Sequence, residues 1–377
     1  MPLQIELFVP DRIPDVRDFN ARLQAGGAPE EYVFFETPQP NWLPKDRDRA
    51  IFNELFLATD GQVVRGAYAL KRQPFRVLGE ERTLGYYHHP FSEGIVNRAW
   101  SMVGALLLKD VLRREPLTYC LGMGGYDRPL PRMLMAMKWK HLAVPFRFRI
   151  LRPFRFLRGM KTLRRNAVKA RLLDAAALSG LGPLAIRALQ AWNGRAGLSG
   201  NGDVRVTTEP SFGEWADEVW NGCAPEYPLI AVRDRRSLNV LFPTDNPLFT
   251  RLRISVGGAA ATLGWAVVSA RQMEDHPEYG RLRVGQIVDV LAKPADASRV
   301  ITAAVRALRQ QGADLATCNH SHAAWVAAMD RTGFLRGPSN FIFAASPALA
   351  AAIAPFEEHA SRIFFTRADG DGLYRFV

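Results

Sequence analysis

Three cysteines among 377 residues (Cys120, Cys223 and Cys318) are too few and too widely spaced for a disulfide framework or a zinc site. Each lies in an apolar or strand-like context, which suits a buried thiol in a reducing compartment. Long apolar runs are also lacking, and none approaches the roughly 18 to 20 residues needed to span a bilayer. Met1 to Val9 alternates like a short strand. Asp11, Asp15 and Asp18 follow where a secretory leader would be cationic and apolar, so the expected location is cytoplasmic. His320-Ser321-His322 has no third ligand at a recognisable spacing, and Asp369-Gly-Asp-Gly lacks the rest of a calcium loop. No metal is expected.

The most pronounced local absence is of negative charge. From Arg128 to Leu173 there is no acidic residue, while Arg128, Arg132, Lys138, Lys140, Arg147 and nine more basic residues up to Arg171 crowd the same span. These fourteen charges exceed the net +12 of the whole chain, so the remainder is near neutral. Leu151, Phe154, Phe156, Leu157, Met160 and Leu163 are interleaved with them. Such a segment lies on an anionic membrane surface, here through residues 147–171 and at the inner face of the membrane, or snorkels over a domain junction. Nucleic acid is a weaker expectation, because no nucleic-acid motif accompanies the charge. The length suits two domains, and 48% hydrophobic with 23% charged residues is ordinary for a globular chain.

Alternation and helical periodicity then give an order of elements. Val284 to Ala292 alternates as a strand; Pro294, Asp296 and Ser298 open a helix with Val300, Ile301, Val305 and Leu308 on one face, closed by Gly312. Leu315 to Cys318 is a strand, Ala323 to Arg331 a helix closed by Gly333, and Phe341 to Ala344 a last strand. Two strands joined by a crossover helix lie parallel, which fixes an α/β class. The first half repeats the plan: a hairpin around Asp60-Gly61, a second around Gly79, and a helix with Trp100, Val103, Leu107 and Val111 on one face. A strand at Leu117 to Leu121, a helix at Leu130 to Trp139 and a strand at Phe146 to Leu151 complete it. Cys120 and Cys318 fall in equivalent strands. The expected division is residues 1–151, a basic connector and linker over 152–202 with a Gly/Ser/Asn stretch from Asn193 to Gly202, and residues 203–377.

This order, with Asn319 ending a strand and Gly333-Phe334 ending a helix, resembles the cofactor-binding half of GNAT acyltransferases. Arg233-Asp-Arg-Arg and the tail from Phe364 resemble tandem proteins of that family from bacterial surface-polysaccharide loci. The resemblance implies two tandem GNAT-like units, each a mixed, mostly antiparallel sheet with a splayed parallel strand pair and flanking helices. It also implies an acyl-CoA, acetyl or longer, whose pantetheine arm enters the splay and whose pyrophosphate sits on amides opening the crossover helix. The second loop, Ala292-Lys293-Pro294-Ala295-Asp296-Ala297, departs from the family pattern by having no glycine. Phe91-Ser92-Glu93-Gly94 offers the better phosphate seat.

Acyl transfer to an amine needs a base, an acid for the leaving thiolate and donors at the carbonyl oxygen. In the first copy His88, His89 and Glu93 are the candidates, with Tyr126 as the acid and Ser92, Gly94 and Ile95 on the cofactor. In the second, Asp289 and His320 are the candidates, with His322 nearby and Asn319 on the cofactor. The acceptor would be the amine of a sugar, an amino acid or a related precursor. Two other readings follow from the same sequence: an aminoacyl-tRNA-dependent transferase, suggested by the basic stretch, and a non-catalytic scaffold at a membrane assembly.

Overall fold

The computed structural model describes residues 3–194, 204–257 and 261–376. Of the expected linker, Asn193 and Gly194 end a helix, and the rest lies outside the described residues. In chain order the strands are β1 (Gln4–Leu7), β2 (Phe52–Asp60), β3 (Val63–Val77), β4 (Glu80–Ser92), β5 (Thr118–Gly122), β6 (Lys140–Ala143), β7 (Phe146–Ile150) and β8 (Val204–Glu209). There follow β9 (Leu229–Ala231), β10 (Thr250–Val256), β11 (Thr262–Gln272), β12 (Arg283–Ala292), β13 (Leu315–Asn319), β14 (Leu335–Gly337) and β15 (Ile342–Ala345). The chain divides into two compact units, Met1–Leu142 with Ile342–His359 and Ala143–Phe341 with Ala360–Val377.

In the first unit the strands run in the order β1-β2-β3-β4-β5-β15-β6. The period-2 pattern of β2 and β3 explains its two buried faces. Phe56, Tyr68 and Leu70 pack under helix Val103–Arg114, while Leu55, Leu57, Ala67 and Ala69 pack under helix Ile13–Ala25. Leu78 and Gly79, both with positive φ (48° and 96°), make the tight turn from β3 to β4, the conformation that two-residue hairpins need. In the second unit the order is β14-β7-β13-β12-β11-β10-β8, with helix Ala297–Gln310 burying the face of Val300, Ile301, Val305 and Leu308 that its spacing predicts.

Both units carry the expected splay. β4 pairs in parallel with β5 only at Gly85↔Thr118 and Tyr86↔Tyr119, and β12 with β13 only from Val284↔Leu315 to Gln286↔Thr317. Each first strand then bulges against its other neighbour. Ala67↔Phe91 is followed by Ala69↔His88, and Val267↔Asp289 by Val268↔Ile287, leaving one extra residue on β4 and on β12. A glycine stands at the same register in both: a Cβ at Gly85 would lie 2.8 Å from Leu70 Cδ1, and one at Gly285 2.8 Å from Leu308 Cδ2. The mixed α/β architecture of two GNAT-like units is therefore present.

The ends of the units differ from the sequence reading. β7, read as the last strand of the first copy, pairs with β13 from Leu315↔Ile150 to Asn319↔Phe146. β15, read as the last strand of the second copy, pairs with β5 from Ile342↔Gly122 to Ala345↔Tyr119. The two halves exchange strands, because alternation marks a strand without naming its partner. Residues 152–194 are likewise no separate connector: helices Pro153–Gly159, Ala167–Leu178 and Leu181–Gly194 belong to the second unit. Phe156 packs there with Ile150, Leu282, Val284 and Leu315. Much of the basic charge is tied internally, Arg147 to Asp330 (2.6 Å), Lys161 to Asp275 (3.0 Å) and Arg164 to Asp174 (2.8 Å).

Candidate functional site

The splay of the first unit is lined by strained backbone on both lips. His89, at the bulge of β4, has φ of 49°. Opposite, the end of β5 runs through four successive residues of positive φ: Gly122 (96°), Met123 (67°), Gly124 (75°) and Gly125 (114°). Such conformations cost free energy and persist where the surrounding fold enforces them, which singles out this mouth. His88 is buried and His89 half-buried, with their Nδ1 atoms 3.0 Å apart. One ring nitrogen therefore donates and the other accepts, and the pair can hand a proton along. His88 stacks on Tyr86 at 4.6 Å, and the Tyr86 hydroxyl donates across the gap to the carbonyl of Leu121 (3.0 Å). Tyr86 thereby closes the root of the slot.

Tyr87 points to the other side, into the layer beneath helix Val103–Arg114, beside Cys120 and Leu107. Its hydroxyl is buried with no hydrogen-bond partner, and burial raises its pKa well above the usual tyrosine value. An orphan donor of this kind calls for a polar partner. At the same helix start, Met102 caps with no side-chain bond, so the amides of Val103 to Ala105 lack intrahelical partners. A Cβ at Gly104 would come no nearer than 4.0 Å to Ser92, which leaves room beside those amides.

The expected phosphate seat is otherwise arranged. Ser92 Oγ accepts from the Gly94 amide (3.0 Å), Glu93 O accepts from the amides of Val96 and Asn97, and a Cβ at Gly94 would lie 2.5 Å from the Trp100 carbonyl. Ser92 and Gly94 fold that loop upon itself, and Ile95 is exposed. Glu93 is not an available base: it is buried and bonded to Arg65 at 2.9 Å and Arg22 at 3.4 Å. The uncapped amides lie one loop later, at Val103 to Ala105. Tyr126 is partly exposed, edge-on to His141 at 5.5 Å, and burial raises its pKa.

The second splay is filled by its own chain. Ser321 Oγ donates to Ile363 O (2.5 Å) and accepts from the Phe365 amide (2.7 Å). The Thr366 hydroxyl donates to Asp289 (2.9 Å). The fully buried Arg233 bonds Asp289 at 3.0 Å and Asp369 at 2.9 Å. Asp289 thus serves a buried ionic cluster, with its carboxyl pushed up to about 6 by burial against the pull of Arg233. Asn319 is buried in the ladder with β7. His320 lies stacked on Trp325 (5.3 Å) and edge-on to Phe364 (4.5 Å), with no exposed surface. Its Nδ1 accepts from the His322 amide (3.1 Å), and His322 Nδ1 accepts from the Ala324 amide (3.1 Å) as a helix cap. Both rings are committed as neutral acceptors, which suits structure more than proton transfer. At the opening of helix Ala297–Gln310, Asp296 already places a carboxylate where an anion would sit, 3.0 Å from Arg299. Among the described residues no group of three His, Cys, Asp or Glu could hold a metal ion.

These histidines set a pH dependence. Burial lowers His322 to about 4. The unfolded chain takes up a proton below about 6.5 while the folded one does not, so this contribution is whole above about pH 6.5 and is lost as pH falls toward 4. Replacing His322 with asparagine keeps a cap acceptor and removes the titration. Urea denaturation is expected to show the native sequence losing about 3 kcal/mol more than His322→Asn between those pH values. Parallel losses in the two proteins would contradict it.

No family model and no curated protein matches the sequence. Among solved structures, N-myristoyltransferase of Saccharomyces cerevisiae with bound myristoyl-CoA aligns over 92% of this chain and 80% of its own, at 11% identity and a TM-score of 0.53. A conserved protein of unknown function from Enterococcus faecalis, described as a probable N-acyltransferase, aligns over 94% of this chain and 74% of its own, at 7% identity and a TM-score of 0.50. A tandem GNAT protein from the clavulanic acid biosynthesis pathway aligns over 92% and 99%, at 11% identity and a TM-score of 0.49. At these identities the first two alignments establish a likeness of fold, extending across both units.

Proposed function

We propose that this chain, whose fold is that of the tandem GNAT proteins, is an N-acyltransferase that takes an acyl group from an acyl-CoA, with the first unit holding the donor. The observation that carries the reading is the strained, bulged mouth between β4 and β5, set against a second splay occupied by Arg233, Asp289 and the segment Ile363–Asp369. The residues of the first unit fit such a donor. The amides of Val103 to Ala105 face outward at a positive helix end suited to phosphate, and the Tyr87 hydroxyl is an unmatched donor within the adjoining layer. Bound there, the donor supplies a thioester carbonyl open to attack. His89 removes a proton from the amine as its nitrogen bonds to the carbonyl carbon, and the histidine pair returns that proton through its shared contact to the thiolate released when the carbon–sulfur bond breaks, so that free thiol leaves. The acceptor is the amine of a small molecule such as a sugar or amino acid. The second unit, its splay filled, takes no donor.

Isothermal titration with acetyl-CoA and longer acyl-CoAs tests this directly. Saturable binding is expected, weakened at least about tenfold by Gly104→Asp, which sets a carboxylate among the first-turn amides. Lys293→Asp, at the start of the corresponding loop in the second unit, should leave the affinity unchanged. Absence of heat with every acyl-CoA would remove the donor from the proposal.

A further inference from the structure

Helices Ala167–Leu178 and Leu181–Gly194 display apolar residues on two sides. Inward, Ala177 and Gln190 are buried and Ile186 joins the cluster of Phe156 and Leu282. Outward, Leu178 and Leu181 are 70% exposed, Trp192 69%, Val168 68%, Leu172 65% and Leu184 60%. Positions 168 and 172, and 181, 184 and 192, recur at helical spacing, so each helix presents an apolar stripe to solvent. Isolated exposed leucines are ordinary, but apolar stripes exposed on two successive helices mark an interaction surface.

Its charge setting selects the partner. Asp174 is the sole acidic residue of the pair and is held by Arg164 at 2.8 Å. Arg165, Lys169, Arg171 and Arg187 are exposed around the stripes. A second copy of this chain, at net +12, would bring like charges together over the patch. An anionic surface would complement them. Neither helix alone is long enough to cross a bilayer: at about 1.5 Å per residue their 12 and 14 residues reach only roughly 18 and 21 Å, short of a hydrocarbon core of about 30 Å. They are also bent 81° to one another. Two short helices with an apolar side, a basic margin and a tryptophan are instead suited to lie in a lipid interface.

We infer that helices Ala167–Leu178 and Leu181–Gly194 form a docking surface for an anionic lipid bilayer, shallowly inserted through Leu172, Leu181, Leu184 and Trp192. The surface lies beyond the basic stretch of residues 147–164, much of which is tied in ion pairs. This inference is independent of the acyl transfer proposed above.

Flotation of the full chain with vesicles of phosphatidylcholine alone, or mixed with phosphatidylglycerol, decides it. Salt-sensitive flotation with the mixed vesicles only is expected. Leu184→Glu with Trp192→Glu should abolish it, and Arg165→Glu, Lys169→Glu and Arg171→Glu together should reduce it about tenfold or more, with thermal melting unchanged in both variants. Arg128→Glu, Arg132→Glu and Lys138→Glu together, three exposed cations of the same acid-free span, serve as the charge-matched comparison and should have less effect. No flotation, equal flotation with neutral vesicles, or indifference to the apolar variant would overturn the inference. So would a dimer in light scattering that Leu184→Glu dissociates, since the face would then be covered by a second copy.

Discussion

Replacing Arg233 with methionine is expected to remove about 3–5 kcal/mol from the stability of the second unit. Arg233 and Asp289 have no exposed side-chain surface and Asp369 almost none, so the charges cannot turn to water when a partner is lost. One guanidinium serves two carboxylates, at 3.0 Å and 2.9 Å, and the Thr366 hydroxyl donates to the same Asp289. Methionine approximates the stem of arginine, so the loss reports charge and hydrogen bonding more than a cavity. Asp289→Asn should be milder than Arg233→Met. It leaves one guanidinium facing one carboxylate, and burial already disfavours the ionised form of Asp289. For a unit of this size the larger change corresponds to a fall in melting temperature of about 10 °C. Urea denaturation of both variants checks the size and the order. A loss below about 1 kcal/mol for Arg233→Met, or the reverse order, would show that the cluster does not hold the splay shut.

Replacing His89 with alanine is expected to lower turnover by about 10²–10⁴-fold, the usual range for losing a positioned base. The affinity for acyl-CoA should stay unchanged, because the amides proposed to meet the phosphates lie in a different segment, at Val103 to Ala105. Thiol release from an acyl-CoA, measured with a panel of small amines, gives the rate, and titration calorimetry gives the binding. His322→Asn should leave the rate intact, which separates a histidine at the working mouth from one that caps a helix. Equal rates for His89→Ala and the native chain would place the base elsewhere. A parallel loss of affinity would reassign His89 to holding the donor.

Local patterns in the sequence carried the architecture a long way. Alternation at β12, the apolar face of Ala297–Gln310 and the Gly79 turn all stand where they were expected, because each depends on neighbours in the chain. Strand partnership was not legible. Phe146–Ile150 and Ile342–Ala345 read as strands correctly, yet their partners are chosen by long-range packing that no local period encodes. Site residues followed the same division. His88 and His89 were visible at the end of a strand, whereas the burial of Glu93 between Arg22 and Arg65 joins residues distant in sequence. A further local signal lies in Gly122-Met-Gly-Gly125, which announces left-handed backbone directly after a strand and forms one lip of the mouth. Tyr87 had no such signal, since an unmatched hydroxyl is recognised only once its surroundings are known.

The reciprocal placement of β7 and β15 has a consequence for biogenesis. The first sheet cannot be completed by a nascent chain until Ile342–Ala345 has left the ribosome, because that strand stands between β5 and β6. During synthesis the edge of β5 is therefore bare, a state that invites aggregation and slows folding through late, long-distance pairing. Proteolytic halves cut near residue 151 would each lack a neighbour strand, β15 in the first sheet and β7 in the second, so neither should survive alone, and both should recover when refolded together.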